Sequence, residues 1–205
     1  MRKIAEALLD IEAVKLSPAA PFTWASGIKS PIYCDNRLTV SYPAIRKEIA
    51  NGIADLIRQN YPSAEVIAGT ATAGIPHAAW VADILELPLI YVRSKPKDHG
   101  KGKQTEGVLR ENQKVVLIDD LLSTGGSVLK AATALENENA VVLGVVGIFS
   151  YELRDLQENF AKRNLTFHTL TNFSELIEAA QQKSSFTQAE VDSMFEWKKS
   201  PKNWK

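Results

Sequence analysis

Two adjacent carboxylates run directly into a turn of small hydroxylated residues and glycines in Asp119-Asp120-Leu121-Leu122-Ser123-Thr124-Gly125-Gly126-Ser127. The four apolar residues before them, Val115 to Ile118, read as a strand, and the Val128, Ala132, Leu135 face after them reads as a helix. In an open α/β sheet such a strand delivers its acids to the carboxyl end, where ligands bind. The turn that follows exposes backbone N–H groups at a helix N-terminus. Those amides, the helix dipole and the Ser and Thr hydroxyls suit a phosphate monoester. Carboxylates this close would repel an anion unless they faced hydroxyls or a metal, and a ribose diol offers both donors and a Mg²⁺-binding edge. A sugar phosphate therefore satisfies both halves of the string. The plainer reading is a solvated strand end followed by an ordinary capping turn.

Three other stretches could contribute. Arg93 to Lys103 holds Arg93, Lys95, Lys97, His99, Lys101 and Lys103 against one acid, Asp98, with two glycines. It reads as a long mobile loop whose cations could neutralise a departing anion and whose closure could exclude water. A solvated charged loop is the bland alternative. Gly69-Thr70-Ala71-Thr72-Ala73-Gly74-Ile75-Pro76 again lies between a strand and a helix, and it offers backbone amides and the Thr70 and Thr72 hydroxyls, or else a plain turn. Ser17 to Asn36 is rich in Pro, Ser and aromatics without helical period. It reads as irregular or short extended structure, either a cap over a site or a structural aromatic loop.

The elements that must position these residues follow from the apolar pattern. Ile4, Leu8 and Ile11 keep helical spacing, as do Ile45, Ile49, Ile53 and Leu56 just after Pro43. From residue 65 short apolar runs (Val66 to Ala68, Leu89 to Val92, Val115 to Ile118, Val141 to Phe149) alternate with helical faces. Helical segments at 152–163, 173–182 and 187–198, with a strand at Thr166 to Leu170, complete the chain. Continuous rather than alternating apolar strands predict a mostly parallel central sheet flanked by helices, an α/β fold.

The 205 residues suit one domain, 1–205, and 45% apolar with 23% charged residues are the proportions of a globular protein. The 24 basic and 24 acidic residues cancel, so no global field recruits nucleic acid and any anion site is local. A single cysteine, Cys34, excludes an internal disulfide framework and a structural zinc site; it reads as structural, in a reducing compartment. No signal h-region and no run near 18 apolar residues is present, so the expectation is a cytoplasmic protein without a membrane partner.

The Asp119 to Ser127 string resembles the phosphoribosyl diphosphate signature of type I phosphoribosyltransferases. There the two acids meet the ribose hydroxyls and the loop, Leu121 to Ser127 here, holds the 5-phosphate. Arg93-Ser94-Lys95-Pro96-Lys97-Asp98-His99-Gly100 resembles the catalytic loop of orotate phosphoribosyltransferases, and Phe22 to Tyr33 looks like that family's hood over the base. The resemblance covers roughly residues 1 to 170. It implies a hood within residues 1–40 on the type I fold, Mg²⁺ bound chiefly through substrate, and a homodimer in which Arg93, Lys97 and His99 meet the diphosphate in the neighbouring subunit's site. It further implies Lys97, His99, Asp119 and Asp120 as catalytic residues, Thr70 and Thr72 on the diphosphate, and Ser123, Lys29, Tyr33 and Arg154 around orotate. The chain departs from other members at Ser94, where many have a second Lys, at Ala25 in place of a Lys, and at Thr72-Ala73 in place of Tyr-Lys. Where some members place an Arg for the orotate carboxylate the register gives Tyr151, with Arg154 nearby. The implied activity is transfer of ribose 5-phosphate from phosphoribosyl diphosphate to orotate. The alternatives are transfer to another base, or a non-catalytic phosphoribosyl diphosphate-binding regulator. The neutral charge, the retained cationic loop and the lack of an evident DNA-reading helix weigh against the regulator.

Overall fold

The computed structural model describes residues 2–24, 27–96, 103–183 and 186–204. The chain opens with helix α1 (Arg2–Asp10), four short strands β1 (Val14–Leu16), β2 (Phe22–Thr23), β3 (Lys29–Ser30) and β4 (Ile32–Cys34), a 3₁₀ turn over Asn36–Ser41, and α2 (Pro43–Asn60). Pro43 starts α2, where its missing N–H removes no helical bond. The α/β part follows as β5 (Val66–Thr70), α3 (Gly74–Leu85), β6 (Leu89–Val92), β7 (Thr105–Glu106), β8 (Lys114–Leu122), α4 (Gly126–Asn137), β9 (Val141–Ser150), α5 (Arg154–Lys162) and β10 (Thr166–Asn172). Helices α6 (Phe173–Lys183) and α7 (Gln188–Lys199) end it.

Among the described residues the main sheet has six strands in the order β10-β9-β8-β5-β6-β7, with β7 alone antiparallel. The expected flanked parallel sheet is what forms. Successive strand residues point to opposite faces, so each strand feeds two layers. Val116 and Ile118 of β8 join a core built with α1, α2, α3, α6 and α7, while Val115 and Leu117 pack on the other side with Val128 and Leu135 of α4 and Leu156 and Phe160 of α5. Burial on both faces is why these strands read as continuous apolar runs.

The order of strands locates the site. From β5 the chain steps outward one way to β6; from β8, on β5's other side, it steps the opposite way to β9 and β10. The loops leaving β5 and β8 therefore diverge and leave a crevice at the carboxyl ends of these two strands. Register pairs Gly69 with Ile118, which sets Thr70 beside Asp119 at that edge. Gly74 lets α3 start against β8, because a Cβ there would lie 2.4 Å from the Ile118 carbonyl oxygen.

Two features go beyond the sequence pattern. Strand β8 continues through Leu122 rather than ending at the acids, since Leu121 and Leu122 still pair with Phe149 and Ser150. The basic segment 93–103 leaves and returns at the foot of an antiparallel pair: Tyr91 and Val92 face Glu106 and Thr105, and the Arg93 N–H donates to the Gln104 carbonyl at 2.9 Å. Residues 14–34 form two small antiparallel ribbons, β1 with β4 and β2 with β3. Among the described residues no helix is long and apolar enough to cross a membrane.

Candidate active site

The two acids are neighbours near the carboxyl end of β8, and both line one cleft. Asp119 is 6% exposed, accepts the Asp120 N–H at 3.0 Å, and faces α4 through the Ser127 hydroxyl at 3.5 Å. Asp120 faces the N-terminal segment, where Asn36 Nδ2 donates to its carbonyl at 2.6 Å. Burial, and then the neighbouring carboxylate, pushes the Asp119 carboxyl up; burial also raises Asp120, opposed first by its hydrogen bond with Asp119 and to a smaller extent by Arg37. The pair resists carrying two charges on its own. Positive charge or donated hydroxyls between the strands would relieve it.

The turn after β8 is shaped for an anion. Gly125 sits at φ +78°, a left-handed conformation, and a Cβ there would lie 2.7 Å from the Phe160 ring, so glycine is required twice over. No side chain caps α4, which leaves its first amides for a ligand. The Thr124 carbonyl is held by Asn159 Nδ2 at 3.0 Å, tying the turn to α5.

Two cavities open on these elements. A cleft of about 360 Å³ is lined by Asp119, Asp120 and Ser127, by the loop Thr70 to Ala73, and by Cys34, Asp35 and Arg37. The Thr70 hydroxyl is buried there without a protein partner, α3 starts without a side-chain cap, and the Ala71–Thr72 peptide is cis. Beside it, a cavity of about 300 Å³ is lined by Thr23, Trp24, Tyr33, Cys34, Leu121, Ser123 and Tyr151, flat apolar walls with polar tips. Cys34 borders both. Burial holds its thiol well above the ordinary range, and the thiol donates to Asn36 Oδ1 at 3.3 Å, so it serves as a neutral wall. Burial likewise raises the Tyr151 phenol, which stays neutral.

The aromatic segment is anchored from the far end of the chain. Trp197 of α7 is fully buried, meets Trp24 edge-on at 5.6 Å and Tyr151 at 5.9 Å, and donates its indole N–H to the Lys29 carbonyl at 3.0 Å. The sequence pattern assigned no role to α7. Lys29 lies 168 residues from Trp197, and only the fold brings the two together.

The structure brings some expected site residues together and leaves others apart. Asp119, Asp120, Ser127, Thr70 and Thr72 share the larger cleft, and Ser123 and Tyr33 share the smaller. Lys29 stands at the edge of the aromatic segment with its ammonium donating to the Thr23 hydroxyl at 2.8 Å. Arg154 begins α5, is exposed, and pairs with Glu158 at 2.6 Å; it lines a different groove with Lys198 and Lys202, and Tyr151 occupies the wall of the base-sized cavity instead. Arg93 directly follows β6 with its guanidinium 3.8 Å from Glu106 and does not line either cavity. Lys97 and His99, and Ala25, lie outside the described residues. The sequence reading missed Asp35, Asn36 and Arg37, which follow Cys34 and carry no periodic signal that ties them to the acids of β8.

Comparison with known proteins narrows what such a site does. Residues 41–174 match the model of the phosphoribosyl transferase domain family. The orotate phosphoribosyltransferase of Enterococcus faecalis is 64% identical over 203 residues, spanning 99% of this chain and 97% of that protein. The crystal structure of orotate phosphoribosyltransferase from Aeropyrum pernix superposes with a TM-score of 0.78 at 25% identity, covering 87% of this chain and 98% of that one. The UMP synthase of Leishmania donovani superposes at 0.80 with 28% identity, over 96% of this chain but 42% of that one. Identity of this order along nearly the whole length, on both sides of the matched residues 41–174, extends the likeness beyond the phosphoribosyl transferase domain, and the chain belongs to the orotate phosphoribosyltransferase family.

Proposed function

We propose that this protein transfers ribose 5-phosphate from 5-phosphoribosyl 1-diphosphate to N1 of orotate, giving orotidine 5′-phosphate and diphosphate, a step of pyrimidine biosynthesis that we assign to the cytoplasm. One observation carries the reading: the acid pair, the uncapped start of α4 and an aromatic base-sized cavity meet at one switch point of the sheet.

In this reading the amides and hydroxyls of Ser123 to Ser127 hold the 5-phosphate, and Asp119 and Asp120 take the ribose hydroxyls. The base lies in the cavity between Tyr33 and Ser123 under a hood formed within residues 1–40. The C1–O bond to diphosphate breaks ahead of N1 attack, and its electron pair leaves with the diphosphate, so positive charge builds on the ribose ring. The buried acid pair is preorganised to stabilise that charge. Thr70 and Thr72 donate to the diphosphate end. Arg93, Lys97 and His99 stabilise the leaving group, with His99 the candidate proton donor, and they act in the neighbouring subunit of a homodimer.

The donor set fits Mg²⁺ that rides on the substrate. Among the described residues no group of three or more His, Cys, Asp or Glu side chains could cage an ion, whereas Asp119 and Asp120 stand side by side where ribose hydroxyls would bridge to one. When bound, the ion would supply charge neutralisation to the departing diphosphate.

The test is direct. Purified protein with phosphoribosyl diphosphate and Mg²⁺ should consume orotate, read by its ultraviolet absorbance, and release diphosphate in equal amount. Diphosphate release with adenine, xanthine or uracil but not with orotate would overturn the choice of base.

A further inference from the structure

Resting on the phosphoribosyl diphosphate reading above, we propose that Arg37 binds the diphosphate of the substrate, braced for that contact by Asp35. The cleft that joins the acid pair to the Thr70 to Ala73 loop must take a group with several negative charges. The loop itself contributes hydroxyls and amides but no cation. Among the described residues lining the cleft, Arg37 is the one cation.

Its geometry is that of a held donor. Arg37 Nε lies 2.6 Å from Asp35 Oδ1 and Nη2 lies 2.8 Å from Asp35 Oδ2, a two-bond fork that fixes the guanidinium plane. The same carboxylate accepts the Arg37 N–H at 3.2 Å and so caps the 3₁₀ turn that carries the arginine. Nη1 has no protein partner among the described residues, and the side chain remains 68% exposed. An arginine with one edge on a carboxylate keeps its other donors for an oxyanion, and the paired carboxylate sets where those donors sit.

The brace also explains a charge that would otherwise oppose binding. Asp35 lines the same cleft, and the Arg37 guanidinium is what neutralises it there. Losing Arg37 therefore removes an attraction and uncovers a repulsion. Losing Asp35 as well removes only the attraction. The double variant should bind diphosphate better than the single one, an ordering that a merely structural arginine does not predict.

The experiment compares wild type, Arg37→Gln, Arg37→Lys, Asp35→Asn and the Asp35→Asn/Arg37→Gln double variant. Calorimetric binding of inorganic diphosphate with Mg²⁺ is measured beside KM for phosphoribosyl diphosphate and for orotate. Arg37→Gln should weaken diphosphate binding and raise KM for phosphoribosyl diphosphate by roughly ten- to a hundred-fold, the scale of a lost charge-assisted contact. KM for orotate and the melting temperature should stay at wild-type values. Arg37→Lys should fall between, and the double variant should recover part of the loss. Diphosphate binding equal in wild type and Arg37→Gln, or no recovery in the double variant, overturns the proposal. Because the calorimetry needs no acceptor base, a wild type that ignores orotate while Arg37→Gln loses diphosphate binding overturns the choice of base alone.

Discussion

At the scale of single residues, the site is built at a cost to stability. Asp119 is buried beside another carboxylate, and its carboxyl is pushed up from the ordinary range near 4 by burial first and by Asp120 second. A raised carboxyl binds its proton more tightly in the folded than in the unfolded chain, so stability falls as pH rises from the unfolded value through the folded one. At neutral pH the folded protein carries that penalty. Asp119→Asn keeps the acceptor for the Asp120 N–H and offers Ser127 a donor while removing the charge. The variant should melt higher, at about 2–4 °C per kcal/mol for a chain of this size, and the gain should shrink as pH is lowered toward 4. Its turnover should fall by about two to three orders of magnitude, the scale of one lost electrostatic stabiliser of the transition state. A melting temperature unchanged across that pH range would show that the pair carries no such penalty. These acids were legible in the sequence because they adjoin their own glycine turn. Asp35 and Arg37 were not, since 84 residues separate Asn36 from the Asp120 carbonyl it holds and no periodicity links them.

At the scale of elements, apolar runs named the strands of the sheet because burial on both faces leaves no polar alternation to confuse them. The two-residue strands β2, β3 and β7 carry too little pattern to be read, and pairing with a neighbour is what defines them. Helix α7 was visible as a helix but not as a support, because its partners Trp24, Tyr151 and Lys29 come from distant parts of the chain. Its Trp197 divides into two measurable parts. Trp197→Ala empties a fully buried site and should lower stability by about 3–5 kcal/mol, checked by denaturant unfolding. Trp197→Phe keeps a ring but deletes the indole donor to the Lys29 carbonyl, a loss of about 1 kcal/mol. With the Trp24–Lys29 end of the aromatic segment held less firmly, the proposed base site predicts that KM for orotate rises in Trp197→Phe while KM for phosphoribosyl diphosphate stays constant. If both constants moved together, α7 would be supporting the whole fold rather than the base side of the site.

At the scale of the whole molecule, the question is where the cations of segment 93–103 act. Both described ends of that segment engage elements away from the cleft: Arg93 approaches Glu106, and Lys103 lies 3.6 Å from Glu138 at the end of α4. The described flanks of the segment adjoin the β6–β7 pair at the outer edge of the sheet. In the reading proposed above, its cations act in a homodimer in which each segment 93–103 completes the other subunit's site. Such a dimer makes a quantitative prediction. Asp120→Asn damages the site on its own subunit, whereas Lys97→Ala damages the site on its neighbour. A mixed dimer therefore holds one site with both residues intact and one with neither. Random reassortment of equal amounts places half of all subunits in mixed dimers, so the mixture should recover about a quarter of wild-type activity from two inactive proteins. Sites contained within one chain allow no recovery at any mixing ratio. Refolding the two variants together and assaying orotate consumption separates these outcomes, and refolding them apart before mixing provides the baseline.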